Sequence, residues 1–184
     1  MLNSNAKCAG SEVRAVRPSV RLDKRRGDLM WCRQEVKITM PDPYNLQRFL
    51  DAQESVLDAV TRELAAGSKR SHWMWFVFPQ VKGLGHTPTA QHYGIGSLDE
   101  AKAYLAHPVL GPRLQEWTTT VLAVEGRTAE TIFGYPDYLK FRSSMTLFDA
   151  ASGQAGGSSV FRRALEKFYR GEPDSSTLRI LGLP

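Results

Sequence analysis

Residues 40–184 of this 184-residue chain contain no cysteine, because Cys8 and Cys32 both precede Met40. This absence excludes a disulfide scaffold and a thiolate metal site from most of the chain. The sequence has no secretory signal, and no apolar run approaches the roughly 18–20 residues that cross a bilayer. A Gly-rich phosphate loop and the common catalytic signatures are also missing. We therefore expect a cytoplasmic globular protein with no membrane partner. No motif in the sequence indicates a reaction.

The excess of positive charge is confined to the first 39 residues. The chain has 24 basic and 19 acidic side chains, a formal net charge of +5, and residues 1–39 hold nine of the basic and four of the acidic ones. Residues 40–184 hold 15 of each sign and are neutral. The basic segment lacks a sustained hydrophobic period, so we expect a disordered extension or the product of a start codon assigned before Met40. The alternative is a basic arm for nucleic acid, although the neutral remainder argues against that partner.

The neutral part shows helical hydrophobic spacing nearly throughout. Asp42 and Pro43 mark a helix start, and Ser97 and Glu100 have the spacing of a capping box. Further helical periods occur at 112–126, 128–133, 136–151, 160–169 and 174–181. The sequence predicts one all-α domain over residues 40–184, a compact orthogonal bundle of about seven helices.

The most unusual stretch is SHWMWFVFPQVKGLGH, which begins at Ser71. Periodicity cannot decide whether its apolar run is a buried strand or a helical turn. Core packing is the favoured interpretation of its tryptophans. The alternative is a ligand platform, on which aromatic rings stack a base, cations pair with a phosphate and glycine amides approach an anion. The candidate ligand-binding residues of this stretch are His72, Trp73, Trp75, Gln80, Lys82, Gly83 and Gly85.

A second candidate site lies in the segment KFRSSMTLF. Lys140 stands three and four residues before Ser143 and Ser144, so one helical face presents an ammonium beside two hydroxyls. This set could bind a phosphate, or Lys140 could activate Ser144 as a nucleophile. The structural alternative is that both serines bond to helix carbonyls, that Lys140 is solvated and that Asp137 caps the helix.

The four histidines lie between residues 72 and 107, yet none has another at the spacing of a zinc site. No metal site is predicted, and no cofactor is identifiable. His72 and His92 are acid–base candidates because histidine titrates near neutral pH. His107, directly before Pro108, is interpreted as a residue whose charge suits a helix C-terminus.

Six blocks carry a family resemblance: DPYNLQRFLDAQ, SHWMWFVFPQVKGLG, HYGI, AYLAHPVLGPRL, IFGYPDYLKFRSSMTLF and TLRILG. On these blocks, residues 41–182 resemble the domain of unknown function 1810 family, whereas residues 1–39 have no counterpart. The resemblance implies a compact, mostly helical protein found largely in bacteria, with no established activity to transfer. Some members carry the label calpastatin, which a chain with a core and no repeats does not support. The family pattern adds Tyr93 to the ligand-binding candidates.

Two functions follow as hypotheses. The first is a cytoplasmic helical protein that binds a small anionic ligand, nucleotide-like or phosphorylated, in a cleft lined by Trp, His, Lys and Ser. Any chemical step would be hydrolysis or group transfer. The second is a non-catalytic protein-interaction module with an exposed patch formed by Trp73, Trp75 and Trp117.

Overall fold

The computed structural model describes residues 11–22, 29–40, 42–153 and 159–184. The chain divides into two compact units, Met1–Gln47 and Arg48–Pro184. In the first unit, strands β1 (Ser11–Leu22) and β2 (Leu29–Met40) pair antiparallel. The sequence does not predict these strands. The hydrophobic pattern of each segment is weak, and the pattern of one segment does not show that it pairs with the other. The predicted disorder of residues 1–10 and 23–28 lies outside the described residues.

Ten helices account for the regular structure of the described residues after Met40. They are α1 (Gln47–Glu54), α2 (Leu57–Ala65), α3 (Met74–Val77), α4 (Pro88–Tyr93), α5 (Leu98–Ala106), α6 (Leu110–Ala123), α7 (Ala129–Phe133), α8 (Asp137–Ser152), α9 (Val160–Tyr169) and α10 (Ser175–Leu181). The predicted all-α class is confirmed. The helices exceed the predicted number because the first one is divided into α1 and α2, and because the short helices α3 and α4 were not expected.

Short polar side chains satisfy backbone N–H groups at the starts of two helices, although α1 begins at Gln47 and not at the predicted Asp42 and Pro43. Asp42 accepts hydrogen bonds from the backbone N–H groups of Leu46 and Gln47 at 2.8 and 3.0 Å. Ser97 accepts one from the N–H of Glu100 at 3.1 Å, which is half of the predicted capping box. The carboxylate of Glu100 does not complete the box, because it bonds to other groups beside the candidate site.

Helix α8 is the central element and packs against α3, α5, α7, α9 and α10. Its Phe141 lies in an aromatic cluster, with ring centroids 4.9 Å from Phe78 and 4.6 Å from Phe133. Phe78 ends the apolar run that the sequence left as strand or helix, and the structure forms α3 there. This packing fixes α3 on α8, and the candidate site lies where the two meet. None of the helices in the described ranges is both long and apolar enough to cross a membrane.

Candidate functional site

Glu63 organises the connection between α2 and α3. Its carboxylate accepts hydrogen bonds from the N–H groups of Arg70 (2.8 Å) and Ser71 (3.0 Å), from the Ser71 hydroxyl and from Nε1 of Trp73 (2.9 Å). Burial raises the pKa of Glu63, but these hydrogen bonds outweigh burial and lower the pKa from 4.5 to about 2. The side chain of Trp73 is fully buried. Glu63 therefore anchors Trp73 in the core and fixes the start of α3.

Because the pKa of Glu63 is low, the free energy of unfolding depends on pH in the acidic range. Because the folded-state pKa lies below the unfolded value, the stabilisation is complete above pH 4.5 and is lost as pH falls towards about 2. Since Glu63 is partly exposed, we expect Glu63→Gln to cost only about 1–2 kcal/mol at pH 7, and less at pH 3. Urea unfolding at both pH values measures this difference. The exposed Glu125→Gln is the matched control, and an equal loss in both variants would contradict the assignment.

Asp137, the first residue of α8, pairs with two lysines from different segments. Its carboxylate oxygens lie 2.6 Å from Nζ of Lys69 and 2.6 Å from Nζ of Lys140. Burial raises the pKa of Asp137, but the hydrogen bonds and charges of both ammonium groups bring it below its ordinary value. The side chains of Lys69, Asp137 and Lys140 are 8%, 15% and 19% exposed. The alternative of a solvated Lys140 is therefore wrong, because its ammonium group binds this carboxylate. Asp137 lies in the first turn of α8, as the sequence predicts, and its carboxylate pairs with both lysines.

Both ammonium groups also lie close to indole rings. Nζ of Lys140 is 4.6 Å from the ring centroid of Trp75, and Nζ of Lys69 is 5.1 Å from that of Trp73. A cation at this distance from an indole is attracted by the negative charge of the ring face. Trp73 is buried, whereas Trp75 is only half-buried. Trp75 therefore contacts the Lys140 ammonium group and is itself partly accessible to solvent.

Trp75 also lines a small pocket. The pocket has a volume of about 10 Å³, room for about one water molecule, and is lined by Trp75, Gln80, Val81, Gly85, Ala90, Tyr93 and Gly94. Two backbone bonds close its wall, from the N–H of Lys82 to the carbonyl of Ile95 (2.8 Å) and from the N–H of Ile95 to the carbonyl of Gln80 (2.9 Å). Four predicted ligand-binding residues meet here, namely Trp75, Gln80, Gly85 and Tyr93.

Arg48 and Glu100 hold the pocket wall formed by residues 92–96. Nη2 of Arg48 lies 2.6 Å from Oε1 of Glu100, and its Nε donates to the carbonyl of His92 at 3.0 Å. Oε2 of Glu100 accepts from the N–H of Gly96 at 2.8 Å. Both side chains are 10% exposed. The sequence does not predict that either residue belongs to the site, because an ion pair between residues 52 positions apart leaves no local pattern.

The two predicted serines do not reach this surface. The Ser143 hydroxyl is buried and donates to the carbonyl of Leu139 at 3.1 Å, as the structural alternative predicts. Ser144 is fully buried, and its hydroxyl has no hydrogen-bond partner among the described residues. Lys140 bonds to Asp137 and not to either serine. The helical spacing correctly predicts that Lys140, Ser143 and Ser144 are neighbours on α8. It gives no information on how deeply each side chain is buried.

The remaining candidates lie at the periphery. His72, Lys82, Gly83, His86 and His92 are exposed. Gly83 has a φ of +105°, a conformation that favours glycine.

His107 ends α5 as its C-cap, as the sequence predicts. Its Nδ1 accepts hydrogen bonds from the N–H groups of Val109 (3.2 Å) and Leu110 (3.3 Å) at the start of α6. In the described part of the chain, no group of three His, Cys, Asp or Glu residues could hold a metal ion.

A larger open cleft lies between α5, α6, α8 and α9. Its volume is about 540 Å³, and its lining includes Lys102, Gln115, Ser152 and Arg163. None of the predicted site residues lines it. Its lining residues Ser152 and Ser159 lie on either side of the gap that the described ranges leave at 154–158, and we therefore place the candidate site at Trp75.

The comparisons agree with the fold and with the resemblance. No curated protein matches the sequence. The chain is similar to the conserved hypothetical protein Rv1873 from Mycobacterium tuberculosis, whose crystal structure was determined at 1.38 Å. The identity is 52% and the TM-score 0.73, and the match covers 78% of this chain and 100% of that chain. A family model described as protein of unknown function (DUF1810) matches residues 43–181, and the chain therefore belongs to this family.

Proposed function

We propose that the surface around Trp75 binds a small anionic ligand. The observation that carries the proposal is the charge of the site beside this ring. Two ammonium groups, of Lys69 and Lys140, share the single carboxylate of Asp137 in mostly buried positions. The three side chains together carry one net positive charge. Lys69 also donates to the carbonyl of Ser71 at 2.6 Å, whereas Lys140 donates only to Asp137 among the described residues. A phosphate or carboxylate of a ligand would supply a further acceptor for the partly buried Lys140 ammonium.

The half-buried indole of Trp75 gives the ligand an apolar contact next to that charge. The Lys140 ammonium lies against the same ring, and Asp137 restricts its movement. A lysine that is already ordered loses less conformational entropy when it binds an anion than a free surface lysine does. This favours an anion site at Lys140 over one at the exposed Lys82.

Binding is better supported than a chemical step. Lys140 does not contact Ser143 or Ser144, and both hydroxyls are buried. His92 is exposed, and its ring lies 4.7 Å from that of Tyr93. We therefore assign no nucleophile, acid or base to the site.

The alternative of a tryptophan-rich interaction patch loses its basis. Trp73 is fully buried and Trp117 is 4% exposed, so neither can form an exposed patch with Trp75. A single half-buried ring suits a small ligand better than a protein interface, which needs a larger central cluster.

Isothermal titration calorimetry of the full chain with AMP, ribose 5-phosphate and inorganic phosphate tests the proposal. We expect at least one of them to bind, and Lys140→Met to weaken it by about tenfold or more, because a charge-assisted hydrogen bond is lost. Lys140→Arg should retain most of the affinity, since it keeps the charge.

Lys102→Met is the matched control because Lys102 is 53% exposed and lines the larger cleft. Its affinity should equal that of the wild type. The proposal fails if none of the three compounds binds, if Lys140→Met binds as the wild type does, or if Lys102→Met alone weakens binding.

A further inference from the structure

We infer that the ligand of this site carries a nucleobase, whose polar edge is recognised by Gln80 and Tyr93 in the pocket beside Trp75. The inference rests on the proposed anion site at Lys140 and extends it from charge to a class of compound. The juxtaposition that supports it is an indole ring, a side-chain amide and a phenol around one small pocket.

The side-chain amide of Gln80 and the hydroxyl of Tyr93 form no hydrogen bond within the described residues, and both residues are half-buried. By contrast, two other glutamines near this region are bonded. Gln91 donates to the carbonyl of Gly85 at 2.6 Å, and Gln53 donates to the carbonyl of Phe76 at 2.8 Å. An amide offers a donor and an acceptor side by side, and a phenol offers one of each. Such a pair is suited to the edge of a base, where a ring or exocyclic N–H adjoins a carbonyl or ring nitrogen.

The size of the pocket decides how much of a base can enter. A volume of about 10 Å³ accommodates one exocyclic oxygen or amino group and excludes a whole ring. The base would therefore lie across the mouth of the pocket, against Trp75, with one edge atom taking the place of a water molecule. A ligand atom that reproduces the hydrogen bonds of such a water binds without loss of affinity.

One small molecule can reach both parts of the site. Trp75 lines the pocket, and its ring centroid is 4.6 Å from Nζ of Lys140. A base at the pocket mouth would share the indole of Trp75 with Lys140, and we place the attached phosphate beside that ammonium group. Lys82 adjoins the pocket as well, since its backbone N–H belongs to the wall, and its side chain is exposed.

The test compares ligands with and without a base on the full chain. By calorimetry, we expect AMP or UMP to bind at least tenfold more tightly than ribose 5-phosphate. Gln80→Leu should remove this advantage while leaving the affinity for ribose 5-phosphate unchanged, which also shows that the variant is folded. Tyr93→Phe should reduce the advantage, and Gln115→Leu, a change at the larger cleft, should have no effect.

The outcomes separate this inference from the proposed function. Equal binding of the nucleotides and ribose 5-phosphate, with sensitivity to Lys140→Met, overturns the nucleobase and leaves the anion site standing. A nucleotide preference that survives Gln80→Leu overturns the role of the pocket. If none of the compounds binds, both the inference and the proposed function fail.

Discussion

Replacing Trp73 with alanine is expected to lower the free energy of unfolding by about 3–5 kcal/mol, the usual cost of removing a large aromatic side chain from a core. Trp73 is fully buried, and its ring centroid lies 6.3 Å from that of Phe78. Its Nε1 donates to Glu63, so the variant also removes a hydrogen bond. Trp75→Ala should cost about 1 kcal/mol, since that side chain is only half-buried.

The two tryptophan variants test whether neighbouring tryptophans have different roles. Urea denaturation followed by circular dichroism gives both free energies. Trp75→Ala should in addition weaken the ligand that Lys140→Met weakens, whereas a folded Trp73→Phe should retain it. Equal losses of stability in Trp73→Ala and Trp75→Ala would contradict the division into one core residue and one surface residue.

Replacing Glu100 with alanine is expected to cost about 3–5 kcal/mol, because it removes the carboxylate that pairs with Arg48 in a site that is 10% exposed. It also removes the acceptor of the Gly96 N–H. The wall at residues 92–96 then keeps the bonds of Arg48 to the carbonyls of His92 and Gly94 and the backbone bonds of Ile95 to Lys82 and Gln80. We therefore expect faster amide exchange in this segment than in α8.

Asp99→Ala is a control from the preceding position of the same helix. Asp99 is 75% exposed and pairs at 3.2 Å with Lys102, which is 53% exposed, so its loss should cost less than about 0.5 kcal/mol. Denaturation of both variants under the same conditions gives the comparison. If the two cost the same, the Arg48–Glu100 pair does not hold the wall.

Much of the fold follows from local signals in the sequence. Ser97 caps α5 because its side-chain oxygen accepts the exposed N–H of Glu100, and such a cap is visible over four residues. Asp42 accepts N–H groups near the start of α1, but the helix begins at Gln47, five positions after Asp42. Helix α3 was not predictable in this way, because its four residues are all apolar and show no period. Helix α4 begins with Thr87 and Pro88, a start signal that is present in the sequence but is followed by no apolar stripe.

The candidate site was predictable only in part. Trp75, Gln80, Gly85 and Tyr93 lie within 19 positions of one another, and their shared neighbourhood is indicated by the sequence. Glu63, Arg48 and Glu100 form their contacts through tertiary packing, which a single sequence does not display. Ser143 and Ser144 were predicted as site residues but are buried. Helical spacing shows in which direction a side chain points, but it does not show whether other elements cover that side of the helix.

The shared carboxylate of Asp137 has a consequence for folding. It joins Lys69 to a helix that begins 68 positions later, and the intervening chain must be closed into a loop before the ion pairs form. The entropy cost of closing such a loop grows with its length, so ordered helices between the two ends favour closure. We therefore expect the site to assemble late, after α5, α6 and α7 have packed, and its ion pairs to change the unfolding rate more than the folding rate.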